Sequence, residues 1–260
     1  MIGPARVLRA AAALQIAQLS ANLFMLFCVF VQPLFIAVTA MYILRHRPDF
    51  DPMYVVVGAG LSGLWSVALF DGTWAVQSER WQGTLELIAA SPAPVMLVVG
   101  GRMLGSMAFS LLSMVVCYAV GAWLFGYELV VRDPLGFIVA FAFGLFSLWS
   151  IAVLLSPIGI LWRTAARFLN VLEYPVYILA GFLFPILFLP GWSNPVSNLL
   201  PPYWAAVALH GTAAGTLSRP ELMLALLVLV LASAIDLLLA RSLLQMVLRA
   251  ARRAGTLSLT

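Results

Sequence analysis

Lysine is absent from this sequence of 260 residues, and charged residues of all kinds make up only 9% of it. Soluble domains carry about 25% charged residues, so an ordinary soluble globular protein is excluded. The 14 basic residues are all arginines, and they are scattered between apolar runs, which gives no nucleic-acid-binding patch despite the net charge of +4. Hydrophobic residues make up 63% of the chain, as is typical of an integral membrane protein.

Cysteine and histidine are also scarce. Cys28 and Cys117 each lie inside an apolar run without a second Cys or His at ligand spacing, so we interpret both as small buried hydrophobic residues. His46 and His210 lie far apart in predicted loops, and neither has a second ligand at metal-binding spacing. We therefore predict no disulfide and no metal site in this chain.

Six apolar runs dominate the sequence. Each is close to or longer than the ~20 residues that a helix needs to cross the hydrocarbon core of a bilayer. The runs cover residues 23–44, 53–76, 96–125, 135–162, 168–189 and 222–248. We therefore predict an all-α integral membrane protein in which residues 1–260 form a single transmembrane domain with six transmembrane helices.

The first 21 residues are too polar to form a span. Arg6 and Arg9 lie one turn apart and are followed by alanines and glutamines, a pattern that predicts a short helix in the membrane interface. A cleavable signal peptide is the alternative, because residues 37–40 (AVTA) loosely resemble a cleavage site. The apolar run continues to Leu44, which favours an uncleaved first span.

The arginines predict the orientation of the chain. Six spans place both termini on one side, and with that side cytoplasmic ten arginines lie inside and four outside, in agreement with the positive-inside rule. The outer arginines are Arg45, Arg47, Arg132 and Arg219. Both termini are therefore predicted to be cytoplasmic.

A polar island, defined as Glu79 to Pro92 (ERWQGTLELIAASP), separates the second and third apolar runs. On a helix, Glu79 and Glu86 fall on one side and Trp81 and Ile88 on the other. Such a helix would lie along the cytoplasmic membrane surface and present its acidic side to a soluble partner. The alternative is a helix that merely joins two spans.

The polar island also carries its own helix signals. Ser78 can cap the first turn, and Ser91-Pro92 stops the helix because the residue before a proline avoids the α conformation. These signals predict a helix over residues 79–90.

Between Gly191 and Pro220 the chain is half apolar, but prolines divide it into pieces that are too short to cross a bilayer. We predict short helices that dip back into the outer leaflet, with aromatic residues at the interface. An ordinary exposed loop is the alternative. The residues that carry the prediction are Pro195, Pro201, Pro202, Tyr203 and Trp204.

Three acidic residues lie inside or at the ends of apolar runs, where ionised groups are costly and mark functional sites: Asp71, Glu173 and Asp236. Each also has a structural interpretation. Asp71 is within two turns of the polar island and can reach the interface, whereas Glu173 can form an ion pair with Arg163 or Arg167.

Asp236 is the deepest of the three, and Arg241 is near enough in sequence for a pair at the cytoplasmic edge. No second acid or histidine recurs at helical spacing beside any of them, which argues against an ion-driven carrier.

Three separated signatures resemble the membrane subunits of ATP-binding-cassette exporters of the type 2 permease class. That family's stretch E-x-x-x-G-T-L-E-x-L-x-x-S-P is similar to the polar island, with Glu79, Gly83-Thr84-Leu85-Glu86, Ile88 and Ser91-Pro92 at its fixed positions. Residues 181–190 (GFLFPILFLP) and 200–203 (LPPY) are similar to the family's fifth span and outer re-entrant segment. The likeness covers essentially the whole chain in order and spacing.

The resemblance implies that a separate cytoplasmic ATPase subunit binds the ATP and Mg. The sequence has no G-x-x-x-x-G-K-[ST] phosphate loop, so we expect neither a catalytic site nor a cofactor in this chain. The resemblance also implies that the polar island is a coupling helix that docks on the ATPase. The residues so assigned are Glu79, Arg80, Gly83, Thr84, Leu85, Glu86, Ser91 and Pro92.

A second copy of the chain, or a related permease, would complete the translocation path. The expected function is export of a hydrophobic or amphiphilic compound, a drug-like natural product or a lipid, across a bacterial inner membrane. Export of a lipid-linked glycan is the alternative, since aromatic residues such as Trp65, Tyr174 and Tyr177 could stack on sugars. A second alternative is a non-transporting membrane scaffold or sensor that recruits a cytoplasmic ATPase.

Overall fold

The computed structural model describes residues 3–46, 51–81, 94–161, 165–186 and 189–254. These residues fold into α-helices joined by short connections, and no strand occurs among them. The helices are α1 (Pro4–Ala21), α2 (Leu23–Leu44), α3 (Pro52–Trp81), α4 (Val95–Leu124), α5 (Pro134–Leu161), α6 (Ala165–Leu179), α7 (Ser193–Leu199), α8 (Pro201–Ala214) and α9 (Arg219–Ala254). The predicted all-α class is confirmed.

Four of these helices are long and apolar enough to cross a membrane. Their apolar parts are Pro52–Thr73 in α3, Val95–Leu124 in α4, Pro134–Ile158 in α5 and Arg219–Val247 in α9. Among the described residues of α2, the apolar part Val29–Leu44 is shorter than these four. The chain is therefore a membrane protein by the length and composition of its helices, with four candidate spans.

Helix α3 is the centre of the molecule. It packs against α2, α4, α5, α6 and α8, and 83% of its apolar part is buried, compared with 22% for α9. Small residues permit this packing, because an added Cβ at Gly58 would overlap the carbonyl oxygen of Phe182. A Cβ at Gly72 would lie 2.8 Å from the carbonyl oxygen of Ala152 in α5. Neighbouring backbones thus lie directly against α3.

The fifth predicted span is wrong as a continuous helix over 168–189. Helix α6 ends at Leu179, and Gly181 follows in the left-handed conformation with φ of 69°. The N–H groups of Gly181 and Phe182 donate to the carbonyls of Ile178 and Tyr177, both at 3.1 Å, which is the hydrogen-bond pattern of a Schellman cap. Because the whole segment is apolar, hydropathy alone did not indicate that the helix ends before Gly181.

The segment between Gly191 and Pro220 contains the two short helices α7 and α8, as predicted. Pro201 and Pro202 occupy the first turn of α8, where a missing N–H costs nothing. Gly215, with φ of 66°, ends α8. Because α8 is largely buried against α5, α3 and α9, the alternative of an ordinary exposed loop is wrong for this helix.

Helix α3 continues through Ser78 to Trp81, so the predicted start of a new helix at Ser78 is wrong. The five residues between Gly72 and Ser78 include no glycine or proline that would end α3, so the helix continues past the serine. Residues 82–93, which include most of the predicted coupling helix, lie outside the described residues. Helix α4 begins at Val95, directly after them.

Contacts at the two ends of the bundle place two arginines of the predicted outer group at one end and one of the predicted inner group, Arg241, at the other. At one end, Arg132 and Asp133 donate backbone N–H groups to Ala213 and Thr212 at 3.0 and 3.1 Å, and Asp133 forms a 3.6 Å ion pair with Arg219. At the other end, the starts of α1 and α4 lie beside the second half of α9. We refer to these as the outer and inner ends.

Candidate functional site

A buried arginine lies where α1, α3 and α4 meet. Arg102, on the second turn of α4, is only 5% exposed. Its Nε donates to Oε1 of Gln15 and its Nη2 to Oε1 of Gln18, both at 2.8 Å. The carboxylate of Asp71 in α3 lies close to Gln15 and to the charge of Arg102. An acid and a base on different helices thus share Gln15 of α1 as a neighbour.

Helix α1 lies directly against α4 at this point. A Cβ added at Gly101 would come within 2.7 Å of the carbonyl oxygen of Leu8, and one at Gly105 within 2.5 Å of that of Ala12. Glycines four residues apart form one flat face, so the two backbones can approach. The predicted N-terminal helix therefore exists, but Gln15 is buried against the protein, whereas Gln18 is exposed.

Sequence reasoning missed the pairing of Arg102 with Gln15 and Gln18. It counted Arg102 only among the ten inner arginines, and it gave the interface as the structural interpretation of Asp71, whereas Asp71 is 8% exposed and lies beside Arg102. A usable signal was present: Arg102 is flanked by Gly101 and Gly105, a spacing that favours close packing of another helix over that face of α4.

Glu173 is the centre of a second buried polar cluster, made by α2, α3 and α6. Its Oε1 accepts hydrogen bonds from Nε2 of Gln32 at 3.0 Å, from the hydroxyl of Tyr177 at 2.7 Å and from the hydroxyl of Ser66. Tyr177 also donates to the carbonyl of Ser62 at 3.2 Å. The predicted partners are not described: Arg163 lies outside the described residues, and so does the side chain of Arg167.

Asp236 does not form the predicted pair with Arg241. Its carboxylate accepts a 3.1 Å hydrogen bond from Ser150 of α5, while Arg241 is exposed. Residues five apart on a helix are separated by about 140° around the axis, so the two side chains diverge. Asp236 therefore joins α9 to α5.

At the outer end, a cavity of about 540 Å³ lies between α3, α7, α8 and the segment after α6. Tyr54 and His210 stack across one wall, with ring centroids 3.7 Å apart, and the Tyr54 hydroxyl donates to the carbonyl of Gly181 at 2.7 Å. Polar side chains of α7, including Asn194 and Ser197, line another wall. None of the described residues that line this cavity carries a formal charge.

His210 was predicted in a loop but is buried within α8. Burial lowers the pKa of His210 to about 3, which outweighs the opposing interaction with the backbone of Phe182. The ring is therefore neutral at physiological pH. Among the described residues, no group of three His, Cys, Asp or Glu side chains could hold a metal ion.

The predicted outer re-entrant residues occupy different environments. Pro202 is buried, Pro195 is exposed, and Tyr203 and Trp204 are half-buried with ring centroids 5.2 Å apart. The indole N–H of Trp204 donates to the carbonyl of Asn198 at 2.9 Å, which ties α8 back onto α7. The two short helices thus form one packed unit.

The predicted coupling residues lie almost wholly outside the described part of the chain. Glu79 and Arg80 belong to the last turn of α3, and nothing is described of their side chains. Gly83, Thr84, Leu85, Glu86, Ser91 and Pro92 lie in the undescribed stretch 82–93. The structure does describe the two helices that this stretch connects, α3 and α4.

No family model matches the chain, and a search of curated proteins finds no match.

Proposed function

We propose that this chain is the membrane permease subunit of an ATP-driven exporter. It has six spans and cytoplasmic termini, and it moves a hydrophobic or amphiphilic compound across a bacterial inner membrane. The ATPase is a separate cytoplasmic subunit that binds ATP and Mg, and a second permease, identical or related, completes the path.

The observation that carries this proposal is the position of the polar island in the fold. It begins in the last turn of α3, the most buried of the candidate spans, and it leads within two residues of its end into α4, which packs along α3. A short segment joined at both ends to packed spans converts the movement of a bound partner into a tilt of those spans.

The buried polar contacts support the same mechanism. Arg102 in the second turn of α4 is bonded to α1 and interacts with Asp71 of α3, so a displacement at the start of α4 reaches three helices. Coupling between sites requires such contiguous contacts between elements that move together.

An inner cavity favours a hydrophobic or amphiphilic cargo over a glycan. It has a volume of about 700 Å³, and its lining is mainly apolar, including Leu104, Phe146 and Trp149. A glycan would leave its hydroxyl groups without partners on such a wall. Sugar export therefore remains the alternative, and the uncharged outer cavity is the observation that favours it.

The test is charge reversal on the acidic side of the polar island. Glu79→Arg and Glu86→Arg should weaken copurification of the ATPase and lower its stimulation, because a reversed charge in a close contact costs several kcal/mol. Gly83→Leu should act similarly through its bulk. The measurement is ATPase activity and copurification of the complex in lipid bilayers.

Matched controls on the apolar side are Trp81→Phe and Ile88→Leu, which keep the apolar area and should leave coupling nearly unchanged. The proposed docking side is refuted if the two reversals copurify and hydrolyse ATP like the parent while the apolar substitutions abolish coupling. The partner would then bind the hydrophobic side.

A further inference from the structure

The inner cavity is elongated along the bundle. On α4 its lining extends from Val95 to Leu104, a rise of about 14 Å at 1.5 Å per residue. On α5 it extends from Phe146 to Val153, a rise of about 10 Å. Side chains of α1 and α9 complete the wall. The cavity therefore has the length and apolar character that suit part of an acyl chain.

The α9 wall of this cavity carries a positive charge. Arg241 of α9 lines the cavity and is exposed, and Gln245 follows one turn later. Arg241 is the one charged residue of the lining, and among the described residues no acid forms an ion pair with it. Leu237 lies one turn from Arg241 toward the middle of the bundle, so the apolar wall extends from the cation into the molecule.

We propose that the inner cavity binds an anionic phospholipid, with its phosphate on Arg241 and an acyl chain against the apolar wall. A guanidinium binds phosphate through two parallel hydrogen bonds, and the amide of Gln245 adds a further donor. Basic pockets between membrane helices on the cytoplasmic side suit anionic headgroups. Among the described residues of the lining there is no carboxylate for the ammonium group of a zwitterionic lipid.

Binding here goes beyond export, because it requires neither the ATPase nor a transported compound. A resident lipid would fill the space between α9 and the α1–α4 pair, and Trp149 marks its position. The indole N–H of Trp149 donates to the carbonyl of Gly100 at 2.9 Å, and its ring contacts Phe146 with centroids 5.5 Å apart. The tryptophan is thus fixed in the cavity wall, and its fluorescence can report whether an acyl chain is bound there.

The experiment uses the full chain in phosphatidylcholine nanodiscs, into which phosphatidylglycerol or phosphatidylcholine with brominated acyl chains is titrated. Bromine quenches tryptophan fluorescence on contact, and Trp149→Phe identifies the part of the signal that belongs to this site. We expect that part to be quenched at a lower mole fraction of brominated phosphatidylglycerol than of brominated phosphatidylcholine.

Arg241→Gln should weaken the binding of phosphatidylglycerol about fivefold, the ratio that corresponds to ~1 kcal/mol for one arginine near an anionic surface. Arg219→Gln is the matched control, because it removes an exposed arginine from the outer end of the same helix and should leave the preference unchanged. Leu104→Phe, which fills part of the cavity, should weaken both lipids.

Equal quenching by the two brominated lipids in the parent chain would contradict the proposed preference for an anionic headgroup. If Trp149 contributes nothing to the quenching, the proposal that an acyl chain occupies the cavity would be wrong. An equal loss of preference in the Arg241 and Arg219 variants would assign the effect to the general surface charge. The proposed coupling to an ATPase is tested separately, since no ATPase is present here, whereas an unoccupied cavity would also remove the support that this cavity gives to a hydrophobic cargo.

Discussion

Arg102 is a charged residue used as a structural connector within an apolar bundle. An ionised side chain at this depth is tolerated because Gln15 and Gln18 accept its hydrogen bonds and Asp71 supplies the opposite charge. Removing one member of such a network leaves the others buried and unpaired. The network therefore fixes the position of α1 on α4.

Arg102→Leu should destabilise the protein by about 3–5 kcal/mol, the usual cost of breaking a buried ionic network from one side. Thermal unfolding of the purified chain in nanodiscs measures this change. Arg249→Leu is the control, because Arg249 is exposed and its 3.4 Å contact with Gln245 contributes little. Equal stability of the two variants would show that Arg102 has no structural role.

Gly58 determines how closely the segment after α6 approaches α3. Gly58→Ala should cost at least about 1–3 kcal/mol, because the new methyl group would overlap the carbonyl oxygen of Phe182 and backbone atoms cannot move aside easily. Gly191→Ala is the matched control, since nothing lies within 4 Å of a Cβ at that position. Unfolding of both variants in denaturant gives the difference, and a tolerated Gly58→Ala would contradict the close approach.

At the scale of the helices, apolar run length predicted much of the fold. The predicted runs 23–44, 96–125 and 135–162 lie within one residue of α2, α4 and α5 at each end, because a run of bilayer length forms a helix under almost any packing. The end of α6 was missed because Gly181 stops a helix through its positive φ, which hydropathy does not register. The backbone conformation of Gly181, and not the hydropathy of the segment, determines where α6 ends.

The candidate sites were less predictable than the helices. Asp71, Glu173 and Asp236 were identified as costly charges, but their partners come from other helices: Gln15 from α1, and Gln32, Ser66 and Ser150 from α2, α3 and α5. Side chains brought together by tertiary packing leave no mark in local sequence. The stacking of Tyr54 on His210 could not be predicted for the same reason.

The unit formed by α7 and α8 should be partly buried near the outer leaflet. Spin labels at Val196 and Val207 should both show restricted mobility and greater contact with oxygen than with a water-soluble nickel complex, because the two helices pack as one unit and the exposed Val196 would face lipid rather than water. Val130, which is exposed in the connection between α4 and α5, is the aqueous control. Free mobility at both test positions would place the segment in water.

At the scale of the whole molecule, α3 joins the two ends of the bundle. It begins at Pro52, where Tyr54 lines the outer cavity, and ends at Trp81, where the polar island continues. Asp71 lies between these points and interacts with Arg102 of α4. The described packing of α3 thus extends from Asp71 to the outer cavity, and in the proposed exporter a movement at the inner end would be transmitted along this helix.

The most direct test of the exporter is movement of a compound driven by ATP. The chain and its copurifying ATPase are placed in sealed vesicles with the ATPase outside, and uptake of a panel of fluorescent amphiphiles is followed with ATP or with a non-hydrolysable analogue. We predict uptake of at least one amphiphile that requires hydrolysis and is lost in Glu86→Arg. Hydrolysis at the parent rate without movement of any amphiphile or lipid-linked glycan would contradict the account and favour a scaffold or sensor.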